Sequence, residues 1–202
     1  MTSAHRHVRG YTLAEVVVFS ALLLMFIYAL YGVLVAEMRY QHIADAEVAA
    51  KQNGMQSMKD VVQYLSESRY KSVVWDTSTA TPMLIFPTPR DANGVFHYDP
   101  ATTALLWQRW LAVYVVNADV PTLVMQSQAI TPPATAPGAA PSAASFEAVS
   151  GAQQRVLGFG VANFVATKNP ALGGWQLDMT FKQSEVGQDD TFQFETSIYP
   201  IN

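Results

Sequence analysis

Gly10-Tyr11-Thr12-Leu13-Ala14-Glu15 leads into residues 16–36, Val-Val-Val-Phe-Ser-Ala-Leu-Leu-Leu-Met-Phe-Ile-Tyr-Ala-Leu-Tyr-Gly-Val-Leu-Val-Ala, an apolar run interrupted only by Ser20 and Gly32. At about 1.5 Å of rise per residue, a helix over this run measures roughly 32 Å, enough to cross a hydrocarbon core of about 30 Å. Tyr28 and Tyr31 fall inside it, where a phenol is tolerated better than a charge. His5, Arg6, His7 and Arg9 precede the run, whereas Glu37 and Arg39 balance each other after it. That asymmetry predicts an N-terminus kept in the cytoplasm and an exported remainder.

An ordinary secretory signal has a hydrophobic region of about 7–15 residues with a small-residue cleavage site behind it. This run is longer, and no Ala-x-Ala follows it. A plain signal anchor fits the length but leaves Glu15 unexplained. An acidic residue at mid-membrane costs roughly 2.5–3.5 kcal/mol on insertion scales, less toward the interface. In sequence, no basic residue lies within a helical turn of Glu15.

A basic leader ending in Gly10, an aromatic Tyr11, and Glu15 before a membrane-length run resemble the processing site of type IV prepilins and type II secretion pseudopilins. The resemblance covers residues 6–36. It implies that a prepilin peptidase removes residues 1–10 by cutting between Gly10 and Tyr11, and that the new amine of Tyr11 is methylated. It also implies that Glu15, fifth in the mature chain, registers each incoming subunit during assembly. Cleavage places a positive amine four residues from Glu15, and a neighbouring subunit offers another. The chain departs from the pattern at Tyr11, where phenylalanine is usual, and at Ala14, where a larger aliphatic is common.

The expected organisation is a leader at 1–10, a transmembrane helix at 11–36 and an exported α+β domain at 37–202. The chain carries a formal charge of −4; loss of the leader leaves ten basic residues against sixteen acidic, a net of −6. An acidic domain argues against nonspecific binding to nucleic acid, which needs a positive surface. No cysteine is present, so packing and sheet hydrogen bonds must hold the fold. Many major pilins have a C-terminal disulfide loop, so the resemblance leans toward a minor subunit or a pseudopilin.

The helix is predicted to run on past the membrane, since residues 37–70 contain no proline. Met55, Met58, Val62 and Leu65, widened by Val61, repeat at helical spacing and predict a buried stripe. Gly54 is a candidate bend and Gly32 a candidate weak point. Beyond Trp75 the pattern turns to strands: 83–86, 95–98, 104–107, 110–116, 122–126 and 161–167, with turns at 99–102 and 117–121. Trp175, Leu177, Met179 and Phe181 alternate with polar residues, as do Phe192, Phe194, Thr196 and Ile198. Such alternation predicts an antiparallel hairpin with one buried face against the helix stripe. Residues 131–145, rich in proline and alanine, read as a flexible loop joining two halves of the sheet.

The stretches Leu84-Ile85-Phe86, Arg90-Asp91-Ala92-Asn93-Gly94-Val95-Phe96-His97-Tyr98, Leu106-Trp107-Gln108-Arg109-Trp110 and Val113-Tyr114 are similar to the middle of the minor pilin W and pseudopilin J group. So is the ending, from Val161-Ala162-Asn163-Phe164 to Tyr199-Pro200-Ile201-Asn202. The resemblance implies a pilin-like fold, a long helix on an antiparallel sheet. It implies a subunit of a hetero-oligomeric tip complex that primes or caps a type IV pilus or a type II secretion pseudopilus. Its partners would be sister pilins or pseudopilins, the prepilin peptidase, the inner-membrane assembly platform and membrane lipid. The domain would face the periplasm and then belong to a filament.

No catalytic residue, cofactor or metal is expected. Asp91-Ala92-Asn93-Gly94, with Asp99 beyond, resembles the start of a calcium loop, but no glutamate closes it, and an Asn-Gly turn explains the residues. Gln188-Asp189-Asp190 is no better. Trp107, Trp110 and Tyr114 read as core before they read as a stacking platform, and Arg109 as a strand-edge charge. Two rival functions stay open: a bitopic membrane-anchored periplasmic binding protein that never polymerises, and an anchored hydrolase built around His97.

Overall fold

In the computed structural model, the described residues are 12–149, 154–171, 173–185 and 188–200. They form an α+β protein with two compact units, Met1–Ala46 and Glu47–Asn202. Helix α1, Leu13–Ser66, begins in the first unit and ends in the second. Throughout residues 13–34 its side chains are exposed. Its best 18-residue window has a mean hydropathy of 2.4, long and apolar enough to cross a membrane. A helix that is apolar on every side finds its partner in lipid or in other helices, not in water.

In the second unit α1 has one buried face: Gly54, Ser57, Met58, Val61 and Leu65. The predicted stripe is corrected at Met55, which is 60% exposed, and Val62 lies at the margin. At Gly54 the helical hydrogen-bonded run is unbroken. A Cβ there would stand 2.6 Å from Cε2 of Phe194, so the glycine admits an aromatic ring against the helix backbone. The helix stops at Ser66, short of the predicted limit, because the Ser68 hydroxyl and amide both donate to the Leu65 carbonyl. A 3-10 turn, Tyr70–Ser72, follows.

The strands are β1 Val74–Asp76, β2 Met83–Thr88, β3 Trp107–Val116 and β4 Thr122–Ala134, then helix α2 Ala143–Glu147. They continue with β5 Gln154–Phe159, β6 Val161–Asn169, β7 Gly174–Glu185 and β8 Gln188–Ile198. Where one antiparallel sheet was expected there are two, ordered β1-β2-β3-β4-β5 and β6-β7-β8, with every pairing antiparallel. The predicted hairpin is β7–β8, with Phe181 opposite Phe192 and Met179 opposite Phe194. Residues 95–98 and 104–107 do not form strands of their own. They contribute single bridges, Arg90 with Phe96 and Tyr98 with Leu105, and Trp107 opens β3.

The main core gathers Met58, Val61 and Leu65 of α1, Leu84 and Phe86 of β2, Leu111 and Val113 of β3, and Trp175, Leu177, Met179 and Phe181 of β7. Full burial of a side chain such as Val61 or Leu65 contributes about 1.5–3 kcal/mol. A second core lies on the opposite face of the five-stranded sheet: Met83, Ile85, Trp110, Ala112, Tyr114 and Val124, covered by Ala143 and Phe146. The segment expected as a flexible loop is therefore partly built into the fold. Its first residues end β4 and its last open α2, whose Phe146 is 2% exposed. The strands that flank it, β4 and β5, are antiparallel neighbours in one sheet.

Candidate functional site

The first turn of α1 is where the sequence motif and the helix geometry meet. Thr12 stands at the N-cap position and Glu15 three residues on. The Thr12 amide donates to Glu15 Oε2 at 2.9 Å, the Thr12 hydroxyl donates to the same oxygen at 3.1 Å, and the Glu15 amide donates to Thr12 Oγ1 at 3.3 Å. This reciprocal pattern is a capping box, which satisfies amides that the first helical turn leaves without partners. The positive end of the helix dipole also favours a carboxylate there. Glu15 therefore has a partner inside its own chain, which the sequence reading overlooked. The signal was present as Thr12-x-x-Glu15 before an apolar run. Gly10 and Tyr11, the expected cleavage and methylation positions, lie outside the described residues.

Downstream of Glu15 every large apolar side chain as far as Leu34 is exposed, among them Phe19, Leu24, Phe26, Tyr28 and Tyr31. Ser20 returns its hydroxyl to the Val16 carbonyl at 2.8 Å and so satisfies its own donor within the helix. The result is a bare apolar rod with one carboxylate at its tip.

A second polar cluster sits in the loop between β2 and β3. Arg90 grips both oxygens of Glu67 at 2.6 and 2.7 Å, donates to the Gly94 carbonyl at 3.0 Å and lies over the Phe96 ring. The bond to Glu67 raises the Arg90 pKa. Arg109 is corrected from a strand-edge charge to a partly buried residue of the central strand. It donates to the carbonyls of Arg90 and Asp91 and so holds the loop down. Burial lowers its pKa. Asp91 accepts from the amides of Asn93 and Val95 and meets His97 Nε2 at 2.9 Å. The His97 bond, then the Val95 amide, hold its pKa down at about 2. Asp99 is spent similarly on Thr102 and the Ala101 amide.

These carboxylates are turn anchors, and among the described residues no group of three or more potential ligands is placed to hold a metal. No serine among them is hydrogen-bonded to His97. Trp107, Trp110 and Tyr114 are buried, which removes the stacking platform. Tyr114 donates to Gln126 at 2.8 Å, and Gln126 donates to the Phe146 carbonyl at 3.0 Å, tying α2 to the sheet. Burial raises the Tyr114 pKa.

Comparisons with family models, with curated proteins and with solved structures find no match. Function must therefore be read from the residues themselves.

Proposed function

We propose that the chain is a minor pilin or pseudopilin subunit, processed between Gly10 and Tyr11 and carried into a filament or its priming tip by packing between apolar helices. The observation that carries this reading is the carboxylate of Glu15 at the tip of a helix whose apolar first half is exposed on all sides. In lipid that rod is solvated by acyl chains. In a filament it packs against the equivalent helices of sister subunits. Glu15 gives the packing a register: a positive amine at Tyr11 of a neighbour gains Coulomb energy at one axial offset and loses it when slipped by a turn. The capping box keeps the carboxylate at the helix tip until that partner arrives. On this reading the N-terminus starts in the cytoplasm, the domain faces the periplasm, and the inner-membrane assembly platform extracts the processed subunit.

The test uses protein recovered from a host with an active prepilin peptidase. Intact mass should show a chain starting at a methylated Tyr11. Glu15→Ala should insert into the membrane normally and be absent from sheared filaments or from cross-linked pseudopilus complexes. A mass that retains residues 1–10, or normal incorporation of the variant, would overturn the proposal. The capping box favours a second reading, because it gives Glu15 a local role that needs no cleavage. A bitopic anchored binding protein of that kind predicts an intact leader and a monomer in the membrane.

A further inference from the structure

The two sheets have four edges, and three are guarded. The edge at β5 is closed by α1: the Ser57 hydroxyl bonds the Leu157 carbonyl at 2.9 Å, and Asp60 holds Arg155 at 2.8 Å. The β1 strand is only three residues long, and its Asp76 carboxylate takes the Ala143 amide at 2.7 Å. The start of β6 is tied to the Pro121 carbonyl through the Val161 amide at 3.1 Å, its register with β7 is broken between Val161 and Asn163, and it carries Lys168. The fourth edge, β8, is an 11-residue strand in unbroken register with β7. Among the described residues its backbone has no partner on the other side. In a strand paired on one side, alternate residues direct their N–H and C=O outward. Proteins blunt such edges with charged side chains (lysine above all), proline, a bulge or a short strand. β8 is long, unbulged and free of lysine and proline, and the charges in its sequence are the carboxylates Asp189, Asp190 and Glu195.

The chemistry of the adjoining face selects the occupant. Val165, Asp178 and Glu195 are register neighbours across the three-stranded sheet, so two carboxylates stand directly opposite each other. Like charges in that position are destabilising. Glu195 receives the Gln176 amide at 2.8 Å, and neither carboxylate is in an ion pair among the described residues. A further strand laid along β8 would bring its own side chain to about 5 Å from Glu195, the ordinary cross-strand spacing. A second copy of β8 cannot supply a cation there, since Gln188–Ile198 contains no lysine or arginine. We propose that the free edge of β8 accepts an extended segment of a different protein as a fourth strand, with lysine or arginine beside Glu195 and apolar residues continuing the row of Phe192 and Phe194. The inference is independent of how the anchor is processed, and either proposal can fail while the other stands.

Full-length protein in detergent should be titrated, at physiological salt, with a labelled, end-capped peptide alternating valine with threonine and lysine. Companion peptides carry glutamate for lysine, or proline at two central positions. The lysine peptide should bind at least about tenfold more tightly than the glutamate peptide, and the proline peptide should not bind. Glu195→Lys should reverse the order, and Glu195→Gln should erase it; the neutral variant serves if the reversed one does not fold. Amide exchange should slow in β8 when the lysine peptide is bound. Absence of saturable binding, equal binding of the proline peptide, or indifference to Glu195 would overturn the proposal. So would spontaneous disulfide dimers of Gln193→Cys in the absence of peptide, which would make a second copy the occupant.

Discussion

Glu15 has two possible partners, and they make different demands. As the far member of a capping box it needs only Thr12, whose hydroxyl and amide both reach its Oε2. As an assembly residue it needs a cation from outside the helix. Thr12→Ala separates the two roles. It removes the N-cap hydroxyl, costs about 0.5–2 kcal/mol of helix-end stability, and leaves the carboxylate in place. If assembly depends on charge, Thr12→Ala should incorporate at near wild-type levels in sheared-filament blots while Glu15→Ala does not; equal loss in both would assign Glu15 to capping. Asp91 yields a prediction in pH. Its pKa is lowered in the folded state from the usual 3.8 to about 2, so its contribution is complete above the unfolded value and fades as pH falls through the folded one. The 91–97 turn should therefore loosen between about pH 4 and pH 2. Faster exchange of the Val95 amide in that window, absent from Asp91→Asn, is the measurement that checks it.

In α1 the sequence marks the helix well and its contact face less well. Length, the absence of proline and helical spacing place the element, and Met58, Val61 and Leu65 are buried as their spacing predicts. Hydropathy cannot register Gly54 and Ser57, which are buried because they are small. At Gly54 the helix admits Phe194, whose ring stands edge-on to Phe181 at 5.5 Å. At Ser57 it lies against Gly158, where a Cβ would come 2.0 Å from Ser57 Oγ. Overpacking this seam typically costs about 1–3 kcal/mol. Gly158→Ala should lose stability of that order in denaturant titrations followed by tryptophan fluorescence in detergent. Ser57→Ala in the same chain should restore part of the loss, because the atom nearest the new methyl is gone. Strict additivity of the two changes would show that the contact is not shared.

Across the whole molecule, β7 and β8 were legible because each alternates apolar and polar residues, the mark of a sheet with one face in water. The strands β2 and β3 carry another signal. Met83-Leu84-Ile85-Phe86 and Leu111-Ala112-Val113-Tyr114 are continuous apolar runs, and such runs require a cover on both faces. The cover is α2 with the chain leading into it, which composition alone marked as filler. Phe146 closes the second core together with Ala143 and Ala140. Phe146→Ala should therefore cost about 3–5 kcal/mol, measured as a shift in the denaturation midpoint, although the residue lies next to a segment that looks dispensable. The capping box and the Asn-Gly turn also depend on residues a few positions apart, and both were readable in principle; only the turn was read. The roles of Arg109, Gly158 and the β8 edge rest on neighbours many positions away in the chain. What the sequence alone determined is whatever short-range pattern and hydropathy encode: a membrane-length helix with an acidic tip, its continuation, and the alternating hairpin. Tertiary structure alone decided the division into two sheets, the covered second face and, among the described residues, the open edge of β8. Those depend on which distant segments meet, and hydrophobic burial is non-directional, so composition announces that a surface must be covered without naming what covers it.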